Sequence, residues 1–253
     1  MTGSGASAVR RVHQSGVGVS LPGDWWTIPL ADGDARRRAV TAVVDRRFGH
    51  ADANAGLKRQ VRGELLASAD RAAESGAWLM ALMLAQAGPV PLPATLTAYR
   101  LAGSFADAEG LRQVQESLAG SLSAGELLDA GEGPFGVVLR TVRERRGPVE
   151  PGGQDVPVLV CEYGSDPADG QGLASLFFST PVVELRDGFM DLFNAIAGTL
   201  YLLDDDSADD EMDDDETVDG GPVDRAGADT TWPAGPDSSQ IIRTDLPSTS
   251  ETP

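Results

Sequence analysis

The strongest hydrophobic pattern in the chain lies at 172–203, GLASLFFSTPVVELRDGFMDLFNAIAGTLYLL. Leu173, Leu176, Phe177 and Phe178 form a short run that is apolar on both faces, as expected of an interior strand covered on both sides. Ser179, Thr180 and Pro181 break the run. Proline suits the first position of a helix, where its missing N–H is no loss, and Thr180 is placed to cap it. Leu185, Phe189, Leu192, Phe193, Ile196 and Leu200 then recur at spacings of three and four, with Glu184, Arg186, Asp187 and Asp191 on the other side. Burying such side chains is worth about 1.5–3 kcal/mol each before the entropy of ordering is subtracted. The helix is therefore expected to dock on a sheet.

Earlier in the chain the apolar period switches repeatedly between two and three to four. Residues 1–16 read as a flexible arm. Val17, Val19 and Leu21 alternate, Pro22-Gly23-Asp24 makes a turn, and Trp25 to Leu30 resumes an extended pattern, which predicts a β-hairpin. Adjacent strand residues point to opposite faces, so Trp25 and Trp26 are interaction candidates but not a shared stacking platform. Asp32 or Asp34 can cap a helix whose inner face is Val40, Val43, Val44 and Phe48. Arg36, Arg37 and Arg38 crowd its first turn, where positive charge opposes the helix dipole. They form either a solvated face or a docking point for an acidic partner. A second helix follows from about residue 54, with Leu57, Val61 and Leu65 repeating every four.

Residues 77–86 read as a central strand and 94–102 as its antiparallel neighbour, joined by a stiff Gly88, Pro89, Pro91, Pro93 connection. Ser104 with Asp107 resembles a capping box for a helix through Leu111, Val114 and Leu118. Residues 120–134 are Gly-rich and loop-like, with one helical turn at 126–129. Three extended runs follow at 136–145, 156–163 and 172–179, and their links are too short for helical crossovers. The expected fold is α+β: an antiparallel sheet, mostly a meander, covered by helices over 17–203. On the first of these runs Val138, Arg140 and Val142 share one side. Val137, Leu139, Thr141, Arg143 and Arg145 share the other, so its end is basic and partly exposed.

Charge changes the picture at residue 204. Of the 39 acidic residues 16 lie in 204–253, against 2 of the 20 basic ones, so −14 of the formal −19 sits in that tail. Its DDDSADDEMDDDETVD run holds no Lys or Arg. Self-repulsion and missing hydrophobes predict a disordered acidic tail. It is a solubilising segment or one that attracts a basic partner. The remaining 203 residues are only mildly acidic, which argues against a nucleic-acid-binding face. No continuous apolar stretch approaches about 18 residues, and no leader is read at the start, so a cytoplasmic protein without a membrane span is expected.

The search for chemistry turns up little. No phosphate-binding glycine loop, HExxH or GxSxG is present. His13 and His50 are the two histidines, and neither has a second ligand at a metal-binding spacing. Cys161, the single cysteine, sits in the apolar run VPVLVCEY and reads as buried and inert. No cofactor, metal or catalytic residue is expected. The order of elements, with VGVSLPGDWWTIPL near the start and LASLFFSTPVVELRDGFMDLFNAIAGTL near the end, resembles the PsbP-like α/β/α sandwich. It is also similar to LpqN-type uncharacterised proteins of high-GC Gram-positive bacteria. That resemblance implies a non-catalytic interaction or accessory protein of unknown partner, with a link to a secretion system. The alternative is a small-molecule-binding domain with a pocket between sheet and helices, near Trp25, Trp26 or Trp78. Removal of residues 204–253 is expected to leave the melting transition nearly unchanged. A large fall in a calorimetric scan of the truncated chain would place the tail within the fold.

Overall fold

The computed structural model describes residues 9–14, 16–49, 55–105, 107–146 and 156–203. Its first elements are β1 (Val9–Gln14), β2 (Val17–Pro22), β3 (Trp25–Ile28), α1 (Gly33–Phe48) and α2 (Ala55–Glu74). Then come β4 (Ala77–Met83), a small hairpin of β5 (Gln86–Ala87) and β6 (Val90–Pro91), β7 (Ala94–Leu101) and α3 (Ala108–Gly120). The second half holds β8 (Leu127–Gly133), β9 (Gly136–Arg146), β10 (Pro157–Ser165), β11 (Leu173–Thr180), α4 (Arg186–Ala197) and β12 (Tyr201–Leu202). Seven strands form one antiparallel sheet in the order β3-β4-β7-β11-β10-β9-β8, and β1-β2-β12 form a second. The α+β class and the β9 to β11 meander agree with the sequence pattern.

Each face of the large sheet has its own core. On one face α4 packs against β10 and β2, burying Phe189, Phe193 and Ile196 among Leu159, Leu176 and Phe178. Phe178 of the central strand stacks on Phe193 with ring centroids 4.5 Å apart and planes 18° from parallel. Trp25 and Tyr163 meet the Phe178 ring edge-on at 6.3 and 5.6 Å. The polar rim of this contact is also filled. Arg140 of β9 grips Asp129 of β8 through two nitrogens and donates to Asn194 Oδ1 of α4 at 2.8 Å, and Tyr163 Oη donates to the same oxygen at 2.8 Å. The β1-β2-β12 sheet extends the cover, with Tyr201 lying so close over Gly18 that a Cβ there would come within 2.3 Å of its ring. On the opposite face α1 and α2 pack on β3 and β4, burying Val40, Val43, Ala69 and Ala72 against Ile28, Met80 and Leu82.

Several local expectations are corrected. Residues 9–14 are not an arm but strand β1, paired with β2 along its whole length. β2 and β3 do not form a hairpin: the chain turns at Gly23-Asp24 and passes from the small sheet to the edge of the large one. Alternation satisfied both readings, since it fixes which side is buried and not which strand is the neighbour. Residues 127–133 are a strand and not a loop with a helical turn, because pairing with β9 and the Asp129–Arg140 contact override weak local propensity. The last helix starts at Arg186, after a 3₁₀ turn at Val183–Leu185, and not at Pro181. Thr180 does not cap it. Its hydroxyl donates to the Pro93 carbonyl at 2.8 Å and accepts from Val182 N at 3.2 Å. Leu185 therefore falls outside the stripe and is 48% exposed. In α2 the inner face is Ala69 and Ala72 with Leu65 half-buried, while Leu57 is exposed. The acidic tail and His50 lie outside the described residues.

Phe193→Ala should cost about 3–5 kcal/mol in urea unfolding, since it opens a cavity under the central aromatic stack. Leu185→Ala, from the same nominal stripe, should stay within about 0.5 kcal/mol.

Candidate functional site

The second face of the large sheet is covered by two separate units. α1 and α2 cover the β3–β4 end, and α3 covers the β9–β11 end. α3 is anchored by hydrogen bonds at its two ends, with Leu111, Val114 and Leu118 half-buried between them. Asp107 caps it, accepting from Gly110 N at 2.7 Å. The preceding turn is tied down by Asp166, whose carboxylate accepts from Ser104 Oγ at 2.8 Å and Phe105 N at 2.6 Å. The expected capping box is thus replaced: Asp107 is the cap itself, and Ser104 serves Asp166. At the far end Ser121 Oγ accepts from Arg143 Nη2 at 3.0 Å. Between these anchors no residue of α3 is fully buried.

The middle of the helix bridges a cavity of about 340 Å³. This is at the small end of the roughly 300–1,000 Å³ spanned by ligand pockets. Its walls are Leu101, Phe105, Val114, Leu118, Leu139 and Leu173, together with Gln113 and Ser117 of α3. Its floor is polar, formed by Thr141 of β9, Glu162 of β10 and Ser175 of β11. Strand register explains the grouping. Glu162 lies opposite Thr141 on one side and Phe177 on the other, and Gly164 lies between Leu139 and Ser175. Glu162 and Gly164 are two apart, so they share a face, and Gly164 leaves the space that the cavity occupies. A Cβ built on Gly164 would meet only Ser175 Oγ, at 3.9 Å.

The floor is electrostatically unsatisfied. Burial holds the Glu162 carboxyl above the ordinary glutamate range by disfavouring its charged form. The Arg143 guanidinium, with Nη2 4.0 Å from Glu162 Oε2, and the Thr141 hydroxyl offset this in part. Thr141 Oγ1 is buried without a well-formed hydrogen bond among the described residues, although it lies near enough to favour the ionised carboxylate. Arg143 Nε is likewise buried and unpartnered among them.

Of the residues singled out from sequence, Arg143 adjoins this site and the rest do not. Arg145 pairs with Glu126 at 3.1 Å on the exposed end of the strand. Trp25 is buried in the α4 core and offers no surface to a partner. Trp26 points to the other face, where Arg46 lies over its ring at 4.6 Å. Trp78 is core as well, so the cavity is not beside any of the three indoles. The arginine cluster of α1 is split. Arg36 is turned inward, pairing with Asp70 of α2 at 3.0 Å and donating to the Leu30 carbonyl, while Arg37 and Arg38 are exposed near Asp34 and Asp32. The Cys161 thiol is buried against Met190, and burial pushes its pKa up to about 12, which matches the inert reading. Glu162, Thr141, Ser175 and Gly164 were missed. The available signal was a lone carboxylate and a glycine on one side of an otherwise apolar strand, VLVCEYGS.

Among the described residues no group of three or more His, Cys, Asp or Glu is placed to hold a metal ion, and no helix is long and apolar enough to cross a membrane. Comparison with protein-family models and with curated protein sequences finds no match. Among solved structures the chain is similar to the solution structure of cyanobacterial PsbP (CyanoP) from Synechocystis sp. PCC 6803. The identity is 10% and the TM-score 0.37, over 80% of this chain and 97% of that one.

A carboxyl with a raised pKa keeps its proton in the native state after the unfolded chain has released it. Native stability is therefore lost as pH rises from the ordinary glutamate value, about 4.3, through the raised one. Glu162→Gln removes this loss. Relative to the parent, the variant should gain stability between about pH 4 and pH 7, read from paired urea titrations. An unchanged difference would mean that Arg143 fully compensates the carboxylate.

Proposed function

We propose that the chain is a non-catalytic binding protein that takes a small molecule into the cavity between α3 and the sheet. The observation that supports this is the cavity itself: a largely apolar chamber with Thr141, Glu162 and Ser175 on its sheet floor and Gln113 and Ser117 on its helix side. Of the two classes expected from sequence, interaction protein and small-molecule binder, the cavity favours the second. Among the described residues Glu162 is the one ionisable side chain of its lining. Acid–base chemistry ordinarily sets a second titratable group or an activated nucleophile against the first, so the floor reads as a recognition set. The same proposal keeps the relation to LpqN-type proteins, and with it an accessory role beside a secretion system. The segments VGVSLPGDWWTIPL and LASLFFSTPVVELRDGFMDLFNAIAGTL support that relation. A cytoplasmic setting is supported by the single buried thiol, which needs no oxidising compartment.

Gly164 supplies the decisive variants. Its Cβ position faces open space, so Gly164→Ala should fold and keep the cavity, while Gly164→Leu should fill it. In a thermal-shift fragment screen, compounds that stabilise the parent should also stabilise Gly164→Ala and lose their effect on Gly164→Leu. A ligand present at about 100 times its Kd stabilises by roughly 2.7 kcal/mol, well above the detection limit. Hits that survive the Leu substitution would sink this reading.

A further inference from the structure

We infer that the cavity selects an apolar molecule carrying one primary amine, its ammonium group seated against Glu162 and its body lying under α3. This rests on the small-molecule reading above and names the ligand class. Three observations carry it.

First, the cavity is chemically divided. Apolar side chains dominate the walls, where Gln113 and Ser117 of α3 are polar but exposed, and the buried polar groups Thr141 and Ser175 lie with Glu162 on the sheet floor. A ligand that fits must therefore be apolar over most of its surface and polar at one end. Second, the floor offers acceptors. A carboxylate, the Thr141 hydroxyl and the Ser175 hydroxyl lie on three neighbouring strands, and register places Thr141 directly opposite Glu162. Thr141 is 1% exposed and Ser175 2%, so neither can turn to bulk water instead. An ammonium group carries three donors and no acceptor, which complements that set. A carboxylate ligand would meet a like charge at close range in a poorly solvated site.

Third, the nearby cation does not fill the need. Arg143 lies outside the lining residues. Its Nη2 donates to Ser121 Oγ at 3.0 Å and stays 4.0 Å from Glu162 Oε2, too far for a hydrogen bond. It anchors the end of α3 and pairs with the carboxylate only at that distance, so among the described residues the carboxylate has no fully charged donor within hydrogen-bond reach. A charge-assisted bond from the ligand supplies that donor, and such bonds are about twice as strong as neutral ones.

Isothermal titration with 4-phenylbutylamine, 4-phenylbutanol and 4-phenylbutyrate separates the possibilities, because the three share one skeleton. The amine should bind at least about tenfold tighter than the alcohol, and the carboxylate weakest of all. Glu162→Gln, close to isosteric, should erase the advantage of the amine and leave amine and alcohol within about threefold. Gly164→Leu should abolish binding of all three. A carboxylate that binds as tightly as the amine, or an amine preference that survives Glu162→Gln, overturns the amine assignment alone. Binding that survives Gly164→Leu overturns the cavity reading beneath it. The absence of heat with all three compounds overturns the amine assignment, and the fragment screen then stands as the separate test of the cavity.

Discussion

The face-to-face stack of Phe178 on Phe193 is the contact on which the rest of the structure depends. It joins the central strand of the large sheet to the one long helix of the second half. Trp25 and Tyr163, edge-on to the Phe178 ring, bring β3 and β10 into the same cluster. Aromatic pairs in these geometries add about 0.5–1.5 kcal/mol each beyond the area they bury. Four elements, β3 from the start of the chain and the consecutive β10, β11 and α4, are thereby held around one ring. The Arg140–Asp129–Asn194–Tyr163 contacts extend this hold to the edge strand, so that β8 and α4 share one buried polar anchor. Removing one member would leave buried partners unsatisfied, a larger loss than the net worth of the bond.

With that face sealed, the opposite face has a different problem. A seven-stranded sheet is wider than one helix pair can cover, and α1 and α2 sit at one end of it. The other end is roofed by α3, a single helix of 13 residues held by a cap, an aspartate and a serine at its two ends. Along this roof no residue is fully buried, so it does not press closely onto the floor beneath it. The glycine at 164 and the small side chain at 175 lower the floor further, and the result is a chamber where a well-packed core would have interdigitated side chains.

The floor of the chamber carries an energetic penalty. Glu162 is held in a site that disfavours its charge, and Thr141 and Arg143 beside it have buried polar atoms that lack good partners among the described residues. Buried polar groups are almost always satisfied, and of the seven exceptions among the described residues two, Thr141 Oγ1 and Arg143 Nε, lie at or beside this cavity. Elsewhere charge is arranged for stability: Arg36 to Asp70 between α1 and α2, and Arg100 to Asp169 beneath the β11 entry.

What the sequence determined by itself is local. Periodicity alone is enough to find α1 with its Asp32 cap and its Val40, Val43 and Val44 face, the paired strands at 77–86 and 94–102, and the meander ending in β11. It also locates the stripe Phe189, Phe193 and Ile196 that closes one face, because each of these signals lies within one element or one short link. What only the tertiary structure decided is which surfaces meet. The jump of the chain from β2 to a different sheet at β3 leaves the local alternation unchanged. β8 takes its strand form from β9. The partners of Glu162 lie on β9 and β11, separated from it in the chain and brought opposite only by register. A side chain's own period tells it to face inward. Whether it then meets a ring, a guanidinium or an empty space depends on residues that the local pattern does not contain.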